Sequence, residues 1–133
     1  MVMARRPLPG GELEYAVLCA LWELEVASAR AIYNRVGEPE GLVYTTIARV
    51  LDRLHAKHLV AREPSGSAFL YRATRTRNEI DRERAALSVR RLFGDAPLPA
   101  IAHLVGAVAD LDATLLDELA RQVNAQRRSR RGS

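Results

Sequence analysis

Tyr44-Thr-Thr-Ile-Ala-Arg-Val-Leu-Asp-Arg-Leu-His-Ala-Lys57 is the stretch whose reading decides the fold. Ile47, Val50, Leu51 and Leu54 recur at three- and four-residue intervals, so they share one face of a helix. Thr45, Thr46, Arg49, Arg53 and Lys57 share the other. A helix divided in this way buries one side and presents the other, here polar and cationic, to a partner. Directly after it the period falls from 3.6 to 2. Leu59-Val-Ala-Arg-Glu63 and Ala68-Phe-Leu-Tyr-Arg-Ala73 read as strands, and Pro64-Ser-Gly-Ser67 joins them as the small-residue tip of a β-hairpin.

Two helices precede this stretch. From Gly11 to Leu24, Leu13, Val17, Leu21 and Leu24 keep helical spacing, with Ala16, Leu18, Cys19, Ala20 and Trp22 widening the apolar face. Ser28 reads as the N-cap of a second helix carrying Ala31, Ile32 and Val36 and ending at Gly37, with Pro39 beyond. The order helix, helix, helix, hairpin is that of a winged helix-turn-helix. The first two helices form an apolar floor, which leaves the outer face of the third free. A helix about 10–12 Å across fits the major groove of B-DNA, roughly 12 Å wide, and the hairpin then lies against neighbouring backbone.

Downstream, Thr76 and Glu79 form a capping box for a long helix reaching Phe93, and Gly94-Asp-Ala-Pro97 breaks the chain. Ile101, Leu104, Val105 and Val108 stripe a further helix. Leu115, Leu116, Leu119 and Val123 stripe the last, with Asp112 as its expected N-cap. The expected organisation is an N-terminal arm (1–10), a winged helix (11–75), a helical dimerisation domain (76–125) and a basic disordered tail (126–133). The fold class is thus mainly α with a small β-hairpin wing. About 50 residues are too few to bury these stripes alone. Ile80, Leu87 and Leu92 with the two stripes above therefore predict a homodimer, whose twofold axis matches a palindromic DNA site.

The 133 residues carry 20 Lys and Arg against 16 Asp and Glu, but the excess is local. Residues 41–75 hold six basic against two acidic residues, a net +4, and residues 126–133 hold four against none. The segments 1–40 and 76–125 are each net −2, from four against six and six against eight. A basic segment between acidic ones points to a polyanion-facing surface. One cysteine, Cys19, excludes an intramolecular disulfide and a multi-cysteine metal site; it reads as a small core hydrophobe, and the expected location is the cytoplasm. The longest uncharged stretch, Ala96 to Ala109, is too short for a bilayer span. His55 and His58 have the spacing of a helical metal pair without a third ligand, and His103 reads as an interface or surface residue. Trp22, Phe69 and Tyr71 read as packing residues. No phosphate loop or nucleophile–base set occurs, so neither an enzyme nor a cofactor or metal is expected.

Roles follow from position. Thr45 and Thr46, near a helix start, suit phosphate or a thymine methyl, and the backbone N–H groups there suit phosphate. Arg49 is the candidate base reader, since Arg–guanine is the commonest specific contact. Arg53, Lys57, Arg62 and Arg72 are expected on phosphates, and Ser65, Gly66 and Ser67 form the wing tip. The competing class is a winged helix used as a protein–protein module; Thr, Arg and Lys on the third helix argue against it.

Glu12-Leu-Glu-Tyr-Ala-Val-Leu-Cys-Ala-Leu-Trp22, Gly37-Glu-Pro-Glu-Gly-Leu-Val-Tyr-Thr-Thr-Ile47, Val50-Leu-Asp-Arg-Leu54 and the wing pair Tyr71-Arg72 resemble the BlaI/MecI penicillinase-repressor family over about residues 11–125. The resemblance implies a homodimeric transcriptional repressor acting on inverted-repeat operators, often with TACA and TGTA half-elements. It carries recognition contacts to Thr45, Thr46 and Arg49 and wing contacts to residues 64–67. Two departures stand out. His58 occupies a position where the family commonly has glycine; glycine adopts a positive φ cheaply and histidine with some strain, so the turn is expected to sit differently and shift the wing. Some members are relieved by a sensor protease cutting an Asn-Phe bond, yet Asn34, Asn78 and Asn124 each precede another residue, and the cysteine cluster of copper-responsive relatives is missing. A sensor protease or other signalling partner is therefore an open expectation.

Overall fold

The structure, a computed structural model, describes residues 7–132; the first six residues of the expected arm and Ser133 of the expected tail lie outside the described residues. It divides into two units, one up to Ala86 and one from Leu87.

In the first unit, α1 (Glu12–Leu24) buries Val17, Leu18 and Leu21. It stops in a tight γ-turn: Glu25 takes φ 68° and ψ −57°, and the Val26 N–H donates to the Leu24 carbonyl at 2.8 Å. The turn delivers Ala27–Ser28 as a two-residue strand, β1, which the hairpin reading had not anticipated. Ser28 then caps α2 (Ala29–Ile32), its Oγ accepting the Ala31 N–H at 3.1 Å. The helix widens into a π turn over Tyr33–Gly37 and tightens into a 3₁₀ turn over Glu38–Glu40. Gly37 is needed by close approach: a Cβ there would sit 2.7 Å from Tyr33 Cδ1 and 2.8 Å from Ile47 Cγ1.

Next comes α3 (Tyr44–Ala56), with Ile47, Val50, Leu51 and Leu54 wholly buried as the spacing predicts. It ends in a Schellman arrangement. The His58 N–H donates to His55 O at 3.0 Å and the Leu59 N–H to Leu54 O at 2.9 Å, with His58 at φ 61°. His58 thus takes the left-handed conformation that glycine adopts cheaply and histidine with some strain. Strands β2 (Val60–Ser65) and β3 (Ala68–Ala73) pair antiparallel, with Ser65 opposite Ala68 and Arg62 opposite Tyr71. Gly66, at φ 61°, is the first of two turn residues, the position where a II′ hairpin turn places glycine. β1 joins the far edge of β3, giving the order β1-β3-β2.

The Thr76 Oγ1 accepts the Glu79 N–H at 3.2 Å and starts α4 (Arg77–Phe93). Its first turns belong to this unit and not, as expected, to a separate domain opening at residue 76. Ile80 is fully buried in the same core as Leu18, Ile47 and Leu54. Nearby, Tyr15 Oη donates to Asp81 Oδ1 at 2.5 Å and Trp22 Nε1 to Arg75 O at 2.8 Å. Ile80 is thus a core residue of the winged helix, and its assignment to a dimer stripe is corrected.

In the second unit, α5 (Pro97–Leu111) opens on Pro97 and Pro99, whose missing N–H groups cost nothing in a first turn. α5 packs on α6 (Leu115–Arg131). Asp112 does not cap α6. It closes the turn before it, Oδ1 accepting the Thr114 N–H at 2.9 Å and hydroxyl at 2.7 Å. Among residues 87–132 only Ala100 is buried. α6 also runs to Arg131, where disorder had been expected from residue 126. Ala, Gln and Arg are good helix formers, cations suit a helix C-terminus, and no breaker intervenes before Gly132.

Candidate nucleic-acid interface

The outer side of α3 is polar, as expected, but its cations are unequally free. Arg49 and Thr45 are exposed and Thr46 half-buried. Arg49 makes no ion pair or hydrogen bond among the described residues. The N-cap, Val43, offers no side-chain acceptor; its carbonyl accepts the Thr46 N–H at 3.1 Å, which leaves the Tyr44 and Thr45 N–H groups for an external acceptor.

One and two turns on, Lys57 Nζ lies 2.7 Å from Glu14 Oε1 and Arg53 Nε 3.4 Å from Glu14 Oε2. Lys57 also donates to the Leu8 carbonyl at 3.4 Å, and the Gly10 N–H donates to Glu14 at 3.1 Å. Burial pushes the Glu14 carboxyl up, but the Lys57 hydrogen bond, the Gly10 N–H, the Lys57 charge and the Arg53 hydrogen bond outweigh it and hold the group below its ordinary value. Glu14 thereby fastens the end of α3 to the start of α1. Lys57, 32% exposed, is committed to that clamp and not to phosphate; Arg53, 54% exposed, has room to leave it.

The wing departs further from expectation. Residues opposite one another in an antiparallel pair share a face, and neighbours alternate. Arg62 shares Tyr71's face, and Arg72 opposes Ala61 on the reverse one. The two arginines therefore cannot grip one stretch of backbone. Arg62 turns to its own fold, 3.3 Å from Asp52 Oδ1 and with its guanidinium 4.5 Å from the Phe69 ring centre. Asp52 lies on α3, so this pair braces the wing against that helix. Phe69, 39% exposed, is a platform for Arg62 as much as a packing residue. Arg75, also in the basic segment, is held by Glu83 at 2.6 Å and Glu79 at 3.3 Å. Of the segment's six cations, only Arg49 and Arg72 are without an acidic partner among the described residues. The tip residues Ser65, Gly66 and Ser67 are exposed.

Arg30 is the residue that the sequence reading passed over. It lies on α2, inside a segment of net negative charge. Its guanidinium sits 4.4 Å from the Tyr44 ring centre and 5.5 Å from that of Tyr33, and the two rings meet edge-to-face at 5.8 Å. That places an exposed cation beside the first residue of α3. The Arg30/Tyr33 spacing of three was the available signal; the contact with Tyr44 depends on tertiary packing.

Residues 10–125 match the family model for penicillinase repressors. The chain belongs to the penicillinase repressor family. The chain is thus a DNA-binding repressor, in a family of transcriptional regulators. No curated protein matches the chain at significant similarity. Among solved structures, it is similar to the PcaV transcriptional regulator of Streptomyces coelicolor at 30% identity, over 87% of this chain and 79% of that one, with a TM-score of 0.45. It is similar to a cysteine-to-serine mutant of E. coli MarR complexed with operator DNA at 18% identity, over 83% and 72%, with a TM-score of 0.44. It is also similar to Bordetella bronchiseptica BpsR, a regulator whose DNA binding responds to 6-hydroxynicotinic acid, at 21% identity over 77% and 79%, with a TM-score of 0.47. No single helix among the described residues is long and apolar enough to cross a membrane.

Proposed function

We propose that the chain represses transcription as a homodimer, each copy laying α3 in a major groove of a palindromic operator. The observation that carries this reading is Arg49: exposed, without an ion pair among the described residues, and centred on a helix whose opposite face is wholly buried. Arg49 reads a base edge, Thr45 and Thr46 approach from the helix start, and Arg53 swings from Glu14 to a phosphate. The exposed tip at Ser65–Ser67 meets adjacent backbone, with Arg30 as an added phosphate contact beside Tyr44. Support for two copies comes from apolar side chains that the second unit leaves in solvent, among them Leu98 at 77% and Leu111 at 81% exposure, together with Leu92, Ile101, Val105 and Val123. Leu87, Leu104, Val108, Leu115, Leu116 and Leu119 complete that surface.

Gel-shift titration of genomic fragments against a random duplex tests the reading. The expected result is saturable binding to a few fragments bearing half-sites about one helical turn apart, with log K falling against log salt at about 0.9 per phosphate neutralised. Equal affinity for all fragments would reduce the protein to a nonspecific DNA binder. No DNA binding at all, with a protein captured through α3, would make it an interaction module.

A further inference from the structure

The last two turns of α6 hold Arg127, Arg128, Arg130 and Arg131, all exposed and on a helix that continues beyond the region matched by the family. No described residue near them neutralises this charge. The last acidic residue before them, Glu118, is taken by Arg121 and by Gln122, whose Nε2 donates to it at 2.9 Å. None of the four arginines has an acidic partner among the described residues. Their spacing sets like charges at i,i+3 and i,i+4, which opposes helix formation. The helix dipole offsets this only in the final turn, so a strip of unscreened charge is left.

The strip is also shaped for a linear polyanion. Gln122, Val123, Gln126, Arg127, Arg130 and Arg131 line one open depression along a single helix face, its polar ends set around Val123 and the arginine stems. From Gln122 to Arg131 is about 13 Å of helix, against 3.4 Å of duplex axis per phosphate on one strand. Guanidinium forks and amide N–H groups are phosphate donors, and the arginines lie in a row along the helix end, a spacing that suits successive phosphates.

We propose that the arginine end of α6 is a second contact surface for duplex DNA backbone, independent of α3 and blind to sequence. The proposal rests on the chain being a DNA-binding repressor. Its effect is to raise affinity for any duplex and to steepen its salt dependence, leaving discrimination to α3.

The test compares the full chain with R127Q/R128Q/R130Q/R131Q and with the corresponding four-lysine variant. Probes are a 40-bp random duplex and a genomic fragment that the wild type retains. The glutamine variant should lose about two to four phosphate contacts' worth of slope, making its affinity loss about 10- to 100-fold greater at 50 mM than at 200 mM salt. Its preference for the fragment over the random duplex should be unchanged, and the lysine variant should keep the wild-type slope. Circular dichroism and sedimentation accompany both; if the glutamine variant loses helix, R127Q/R130Q should lose about half the slope. A wild-type slope in the glutamine variants overturns the proposal. So does loss of self-association, which would assign the arginines to a second copy of the chain. A wild type that retains no genomic fragment and does not bind the random duplex overturns the repressor reading itself.

Discussion

Arg49 and Lys57 lie two turns apart on one helix and carry the same charge, yet the fold uses them differently. Glu14 reaches across from α1 to hold Lys57, whereas no acidic group among the described residues reaches Arg49. Arg49→Ala should therefore cost about 1–3 kcal/mol on a specific fragment and much less on random duplex, as read by titrating both at one salt concentration. Equal losses on the two would make Arg49 a phosphate contact. The helical face that offers Arg49 was legible in the sequence, because Ile47, Val50, Leu51 and Leu54 fix the orientation of everything between them. Which cations are free was not legible, since the Glu14 that holds Lys57 and Arg53 comes from α1, and the Asp52 that holds Arg62 reaches across from α3 to the wing. His58 is a second residue-scale case. It stands where the family commonly has glycine, and the Schellman turn explains why a positive φ is required there. His58→Gly should stabilise the fold by about 0.5–1 kcal/mol, the relief of left-handed strain exceeding glycine's added unfolded-state entropy. The readout is a higher urea midpoint with an unchanged m value.

Elements are joined by a few polar anchors over a shared core, and the anchors respond to pH. Glu14 fastens α1 to α3 as a carboxylate whose folded pKa is depressed. A depressed carboxylate contributes stability that is complete above its ordinary value near 4.5 and lost as pH falls through the folded value. Lys57 and Arg53 stay charged throughout that range. The first unit should accordingly weaken below about pH 4.5, and Glu14→Gln should cost about 1–2 kcal/mol at pH 7 while flattening the acid limb of the stability curve. An acid limb identical to wild type would assign the acid sensitivity to other groups. Ile80 separates core from interface in the same way. As a core residue, Ile80→Ala should lower unfolding stability by about 2–5 kcal/mol and leave the self-association constant unchanged at temperatures where the chain is folded. The order of the elements was plain from periodicity, while their junctions were not. A capping box announces where α4 begins but not that its first turns pack under α1. β1 is two residues long, too short for any alternating pattern, and exists because the turn at Glu25 carries Ala27 to Tyr71.

The whole molecule is asymmetric in how it buries apolar side chains. The first unit hides Leu18, Ile32, Ile47, Leu54 and Ile80 completely, whereas the second buries only Ala100 among its described residues. An α5–α6 pair with Leu98, Ile101, Leu111 and Val123 in water is a poor end state for one chain, and a second copy supplies the missing contact. Val123 is well suited to a test because it is exposed, lies mid-helix on α6 and makes no ion pair that its replacement would disturb. Val123→Asp should keep its helical content and raise the dimer dissociation constant at least tenfold, measured by sedimentation across a concentration series, because a carboxylate, even with Arg127 one turn on, would have to be desolvated in the interface. Its effect on DNA follows from symmetry. A specific site contacted through two linked copies loses the advantage of the second contact when the link fails, while random duplex, bound by charge alone, loses little. Val123→Asp should thus weaken the specific fragment far more than the random duplex near the dimer dissociation constant, and the gap should close as protein concentration rises.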